Sequence, residues 1–430
     1  MSKPKRNSIP RRLWRAVRSI YYWPGLTLAH LVRLAASYRS DNWYRITAPW
    51  IYNHGYPSEV RRKPRPPGWY HFKHRFTFEH EHMRLNLCHA KRAADVKGLA
   101  LMFALGAGDY FYLAPMIAEL KARYPEWPII AYATDNAGDV NSSLIGEMLR
   151  FDPNINEVRL FNGRQTRRFK NYDYSDALRQ APPGYLAIPV FGEHLAENRH
   201  RVASQWETFG LALPNTVPLP LVHLPPLPRP HVLKLLERIK QQCARQGARG
   251  VAFLQVDSRS SHFTYPYADE LARGLSERGY FVLSASKLRD APALSHTLDF
   301  GEFAIMDSIH LLKLLQAEFA DLRIVSVASV FWSVSSAFGI PNLCMQQFRD
   351  DAMHNYWYPN ITVIAHRDYK NLPLPARFLA GDGDYEFDAG GKIVFESGFV
   401  LKCFDRVRNC DGNRLDTENP VQSVRSAAIS

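Results

Sequence analysis

Residues 213–230, LPNTVPLPLVHLPPLPRP, hold seven prolines. Proline lacks a backbone N–H and fixes φ, so no interior strand or helix can run through such a stretch. The 430-residue chain is thereby cut in two, and at that length two cores are expected rather than one. Strand-length apolar runs alternate with helical patterns on both sides of the break. Before it come GLALMFAL (strand), LAPMIAELKARYP (helix), PIIAYA (strand), SSLIGEMLRF (helix) and VRLFN (strand). After it come HVLKLLERIKQQCARQG (helix), GVAFLQV (strand), YADELARGLSERG (helix), YFVLSAS (strand), SIHLLKLLQAEF (helix), LRIVSVAS (strand), FWSVSSAFG (short helix) and PNLCMQQ (strand). This alternation favours parallel sheets with helical crossovers, so the fold class is α/β, with two doubly wound units. The expected division is an N-terminal extension (1–75), a first α/β domain (76–212), a Pro-rich linker (213–230), a second α/β domain (231–405) and a polar tail (406–430).

Charge separates the extension from the rest. Residues 1–75 carry 16 Lys/Arg against two acids, Asp41 and Glu59, a net +14; the other 355 residues sum to −1 of the total +13. RRLWRAVRSIYYW sets Leu13, Val17, Ile20 and Tyr21 on one helical face, and LTLAHLVRLA offers a second short apolar stripe. Neither run approaches the roughly 20 apolar residues that span a bilayer. Basic amphipathic helices of this kind lie on an anionic membrane surface or dock on their own protein. No nucleic-acid recognition module is present, so nucleic acid is not an expected partner. Five scattered cysteines without a C-x-x-C pair read as reduced thiols, hence a cytoplasmic protein.

Chemistry concentrates where strands end. In FALGAGDYFY, residues 103–112, the glycines Gly106 and Gly108 bracket a turn and Asp109 follows, with a helix expected from about Phe111. In open parallel sheets ligands dock outside the carboxyl ends of the strands. Asp109 there is either a proton acceptor for a ligand hydroxyl or an ordinary helix cap. In RIVSVASVFWSVSSAFGIP, a small-residue turn at Ala328-Ser329 precedes a helix. Ser329 and Ser333, with the free N–H groups of that turn, either hold a phosphate or cap the helix. Arg259 and His262, in QVDSRSSHF, follow another strand. In the histidine-rich segment 71–89, His80 and His82 would share one face of a strand, a spacing metals accept, but no H-E-x-x-H or second cysteine pair supports a site, so the segment reads as packing or surface residues; GDGDYEFD (381–388) reads as a turn, and no metal site is expected.

The order of these segments resembles that of the ADP-heptose:lipopolysaccharide heptosyltransferases. The likeness lies in ALGAGDYFYLAPMIAELKARYPEWPIIAYA, LRFDPNINEVRLFN, the Pro-rich linker, RGYFVLSAS, and DFGEF…DSIHLLKLLQAEFADLRIVSVAS…SSAFGIPN, across residues 97–365. The resemblance implies a GT-B architecture: two Rossmann-like domains facing across a cleft, acceptor mainly in the first, nucleotide-sugar in the second. It implies Asp109 as general base of an inverting transfer, with Gly106, Gly108 and Tyr110 on the acceptor-side turn. It puts Ser329, Val330, Ser333, Arg259, His262 and Gln346 on the donor side. The family's second turn reads D-[ST]-G with a histidine three residues on; here it is Ala328-Ser329-Val330, with Ser333 in the histidine's place. The family's phosphate-binding cations fall at Ser261-His262 or Phe263-Thr264, which leaves His262 or Arg259 as the substitute. The implied substrates are a nucleotide-sugar and a lipid-linked or envelope saccharide, with no further cofactor. The implied location is the cytoplasm, peripheral on the inner face of the plasma membrane, with residues 1–65 on the anionic leaflet. A catalytically silent glycan- or partner-binding protein of the same fold is the other reading.

Overall fold

In the computed structural model the residues described are 96–103, 107–134, 140–161, 180–182, 184–190, 211, 218–257, 264–299, 303–347, 358–367, 377–388 and 391–407. The N-terminal extension, the histidine-rich segment, Gly106, Arg259, His262 and the tail beyond 407 lie outside them.

The first sheet joins β1 (Gly98–Phe103), β2 (Ile129–Thr134), β3 (Glu157–Phe161) and β4 (Tyr185–Val190) in the order β3-β2-β1-β4, every pair parallel. Its helices are α1 (Ala107–Arg123) and α2 (Val140–Phe151). All of β1 is buried, as its unbroken apolar run requires of a central parallel strand. The sequence pattern does not reveal β4, which carries Pro189 opposite Met102. Proline is tolerated there because β4 is the outermost strand among the described residues.

The second unit runs α3 (Pro230–Gln246), β5 (Gly250–Gln255), α4 (Ala268–Glu277), β6 (Tyr280–Ser284), β7 (Ser295–Thr297), α5 (Ile305–Glu318), β8 (Leu322–Val327), α6 (Val330–Phe338) and β9 (Asn342–Met345). It continues through β10 (Ile361–His366), β11 (Arg377–Ala380), the antiparallel hairpin β12 (Tyr385–Phe387) and β13 (Ile393–Phe395), and α7 (Ser397–Arg406). Its sheet is parallel, in the order β11-β10-β9-β8-β5-β6-β7. Strand order reverses direction between β1 and β4 in the first sheet and between β5 and β8 in the second. Those reversals are where open α/β sheets leave a crevice for ligands.

The two units share an interior. One hydrophobic cluster takes Phe103, Tyr110 and Phe111 from the first and Phe253, Ile324, Phe331 and Trp332 from the second. A separate cluster fills the far face of the second sheet under α4, α7 and β13.

Sequence explains how the linker is held. Pro115 lies inside α1 and has no N–H, so it cannot bond the carbonyl of Phe111 four residues back. That carbonyl accepts from Leu221 N–H of the linker instead, at 3.0 Å. The Tyr358 hydroxyl donates to Pro218 O at 3.0 Å, and its ring stacks on Tyr112 with centroids 6.0 Å apart. At the linker's end Arg229 bridges Glu147 of α2 (2.6 Å) and Asp307 of α5 (3.1 Å).

Candidate functional site

The helix after β1 begins at Ala107, earlier than expected. Asp109 is therefore its third residue, inside the first turn, and not a cap before it. Gly108 is the second residue of that helix. A Cβ at Gly108 would sit 3.3 Å from Ser333 Oγ and 3.4 Å from Val330 Cα. The first turn of α1 is thus pressed against the first turn of α6, and only a residue without a side chain fits easily between them. Ser333 is buried, and its hydroxyl donates to Gly108 O at 3.0 Å. At this point the lobes are in contact rather than separated by a cleft.

Tyr110 points the other way from the position expected of an acceptor-side residue. The helical phase turns it fully into the core, where its hydroxyl donates to Asp152 Oδ2 at 2.8 Å. Burial, then the Asp152 carboxylate, hold that hydroxyl well above the ordinary tyrosine range. Asp152, itself buried, also accepts from Asn154 N (2.9 Å) and Asn154 Nδ2 (3.0 Å). His223 of the linker approaches it at 3.7 Å. Tyr110 is thus an anchor that fixes the turn bearing Asp109.

On the second lobe Ser329 caps α6, its Oγ accepting from Phe331 N at 3.2 Å. The helix ends on Gly339 at φ 71°, a left-handed position that glycine takes without strain. Gln346 is 2% exposed. It follows Cys344 by two residues, so strand alternation sets it on the α6 face of the sheet. Gln255, which sequence reasoning passed over, ends β5 on that same face. It follows Phe253, whose ring packs on Phe331 in the first turn of α6 with centroids 4.7 Å apart. The only signal for it was one polar residue closing an otherwise apolar strand. Gln255 and Gln346 therefore flank the end of β8 on either side, in the strand order β9-β8-β5.

Both reversal points thus come together: the helix leaving β1 meets the helix leaving β8, N-terminus to N-terminus. Each N-terminus carries about half a positive charge in unsatisfied N–H groups, so their convergence favours an anion. Among the described residues no group of three His, Cys, Asp or Glu stands ready to hold a metal ion, and no helix is long and apolar enough to cross a membrane.

The architecture defines a class: paired parallel α/β lobes that meet at their ligand-binding ends. No protein-family model and no curated protein matches the chain. Among solved structures it is similar to heptosyltransferases. The E. coli ADP-heptose lps heptosyltransferase II is 14% identical, with a TM-score of 0.42 over 72% of this chain and 98% of that one. E. coli heptosyltransferase WaaC with ADP is 12% identical, with a TM-score of 0.42 over 63% of this chain and 94% of that one. A glycosyl transferase of family 9 from Veillonella parvula is 12% identical, with a TM-score of 0.40 over 77% of this chain and 96% of that one.

Proposed function

We propose that the protein is a GT-B glycosyltransferase that moves a sugar from a nucleotide-sugar to a saccharide acceptor with inversion. The observation that carries this reading is the Ser333–Gly108 contact, 3.0 Å, which brings the α1 and α6 N-termini to one place. The diphosphate of the donor sits beside that junction on the α6 side, held by helix N–H groups and neighbouring hydroxyls. Asp109, on the α1 side, takes the proton from an acceptor hydroxyl. The freed oxygen attacks the anomeric carbon as the bond from that carbon to the phosphate oxygen breaks. The electron pair leaves with the nucleoside diphosphate, stabilised by the helix N-termini as its charge develops. Arg259 and His262 are the candidate cations for it, and Ser329, Val330 and Gln346 line the donor side.

The acceptor class follows from the basic extension. With a net charge of +14 over residues 1–75, an anionic leaflet is the natural surface, and a lipid-linked or envelope saccharide the natural acceptor there. The enzyme then works in the cytoplasm at the membrane face and needs no cofactor beyond its donor.

Asp109→Asn is the decisive variant. It is expected to abolish transfer while leaving the affinity for the nucleoside diphosphate, measured calorimetrically, within twofold of wild type. Full transfer activity in that variant would remove the base role, and loss of nucleotide binding would reassign Asp109 to the fold.

A further inference from the structure

Among the described residues, several polar groups where β5, β8 and β9 end are paired within the protein. Ser329 Oγ holds Phe331 N, Ser333 donates to Gly108 O, and Ser326 Oγ donates to Asn342 Oδ1 at 2.9 Å. Val256 N and Asp257 N both donate to Ser286 Oγ, at 2.8 and 2.9 Å. Gln255, on the α6 face, is an exception among the described residues. The residue is 7% exposed, and its Oε1, itself buried, has no hydrogen-bond partner. Its orientation is fixed, because Nε2 donates to the Asp257 carbonyl and a flipped amide would set oxygen against oxygen. Gln347 is also unpartnered, but it follows Met345 onto the opposite face, where its backbone carbonyl accepts from Ile393 N of β13 at 2.8 Å.

A buried, oriented acceptor with nothing to accept is costly, and calls for a partner that the surrounding side chains do not supply. This one stands at the strand-order reversal of the second sheet, level with Ser326 and two residues beyond Phe253, whose ring packs on the first turn of α6. The helix N-terminus calls for an anion, and the unpaired oxygen calls for a donor next to that anion. A glycosyl nucleotide supplies both: a diphosphate flanked by hydroxyls. We infer that Gln255 binds the nucleotide-sugar, Oε1 accepting from a hydroxyl beside the diphosphate, on the ribose or on the transferred sugar. This rests on the nucleotide-sugar reading and adds to it the residue that discriminates hydroxylated from deoxygenated donors. Sites built to bond a hydroxyl reject the analogue that lacks it far more strongly than apolar pockets reject a methylene.

The test is calorimetric, on the full-length protein and its Gln255→Met variant, which keeps length and bulk but loses the amide. The titrants are ADP, GDP, CDP and UDP, the 2′- and 3′-deoxy forms of the one that binds, its glucose conjugate, and inorganic pyrophosphate. The substitution is expected to weaken the nucleotide or its sugar conjugate at least tenfold and to leave pyrophosphate unchanged. A loss already seen with the nucleoside diphosphate, and absent for a deoxy form, assigns the hydroxyl to the ribose. A loss seen only with the conjugate assigns it to the sugar. Equal affinity for all titrants in both proteins overturns the inference while the transferase reading stands. Equal weakening of pyrophosphate also overturns it, since the change then acts through the turn. If wild type binds no nucleotide, both readings fall. Should Gln255→Met not fold, Gln255→Asn, which keeps the amide but withdraws the oxygen, carries the same expectations.

Discussion

Gly108 is the residue on which the junction turns. Nothing in the local sequence asks for glycine inside a helix, where it costs roughly 1 kcal/mol against alanine. The cause is long-range: the backbone of Val330 and the hydroxyl of Ser333, more than 200 residues away, occupy the space of a side chain. Gly108→Val is therefore expected to push α1 from α6 and cost on the order of 1–3 kcal/mol, read as a lower melting temperature. An unchanged melting temperature would mean the lobes can part there freely. Tyr110 gives a second expectation. Tyr110→Phe removes one donor from Asp152 but leaves the two from Asn154, so the loss is about 1 kcal/mol in denaturant unfolding. It should grow if Asn154 is also replaced, and strict additivity would deny that the three form one network.

Pro115 does at the level of elements what Gly108 does for a residue. It weakens α1 and in doing so creates the acceptor that the linker uses. Pro115→Ala restores an N–H to the helix, which then competes with Leu221 for the Phe111 carbonyl. Hydrogen exchange at the Leu221 amide is expected to speed up, and unchanged protection would show that the linker does not depend on the proline. Elements with uniform environments were legible from sequence: β1, β5, β6 and β8 are buried along their whole length and read as apolar runs. The short β7, β11 and β12 were not, because three or four mostly partly exposed residues leave no period. The site divides the same way. Turn chemistry singles out Asp109 and Ser329 as candidates because glycine and serine at strand ends carry local meaning. Tyr110 was assigned to the turn because the sequence pattern put the helix start near Phe111, whereas the helix begins at Ala107. Gln255 was missed because a partnerless oxygen is a property of packing, not of pattern.

At the scale of the molecule the described residues form two apolar interiors, one spanning both sheets and one on the far face of the second, and buried titrating groups lie in each. Burial is the largest cause raising Tyr110, Tyr265, Tyr280 and Tyr358 above the ordinary tyrosine value near 10, with Tyr280 pushed up to about 12. A raised pKa means the fold favours the neutral phenol. That stability is fully present below about pH 10 and is lost as pH climbs toward the folded values. Unfolding free energy is thus expected to fall steeply above pH 10, and a flat profile from pH 9 to 12 would deny that these hydroxyls are sealed. The thiols give an independent reading: Cys243, Cys344 and Cys403 are buried, and burial raises all three. They should resist alkylation until the protein unfolds, then react together, as mass spectrometry would record.

The unbroken cluster from Phe103 to Phe331 bears on how such a chain can be divided or recombined. Cutting it at the prolines would yield two fragments, each with a raw oily wall where the other belongs, and neither should stay in solution alone. By the same logic a half grafted from a related protein would have to arrive with its own mate for positions 108, 330 and 333, so the halves are best exchanged as a matched pair.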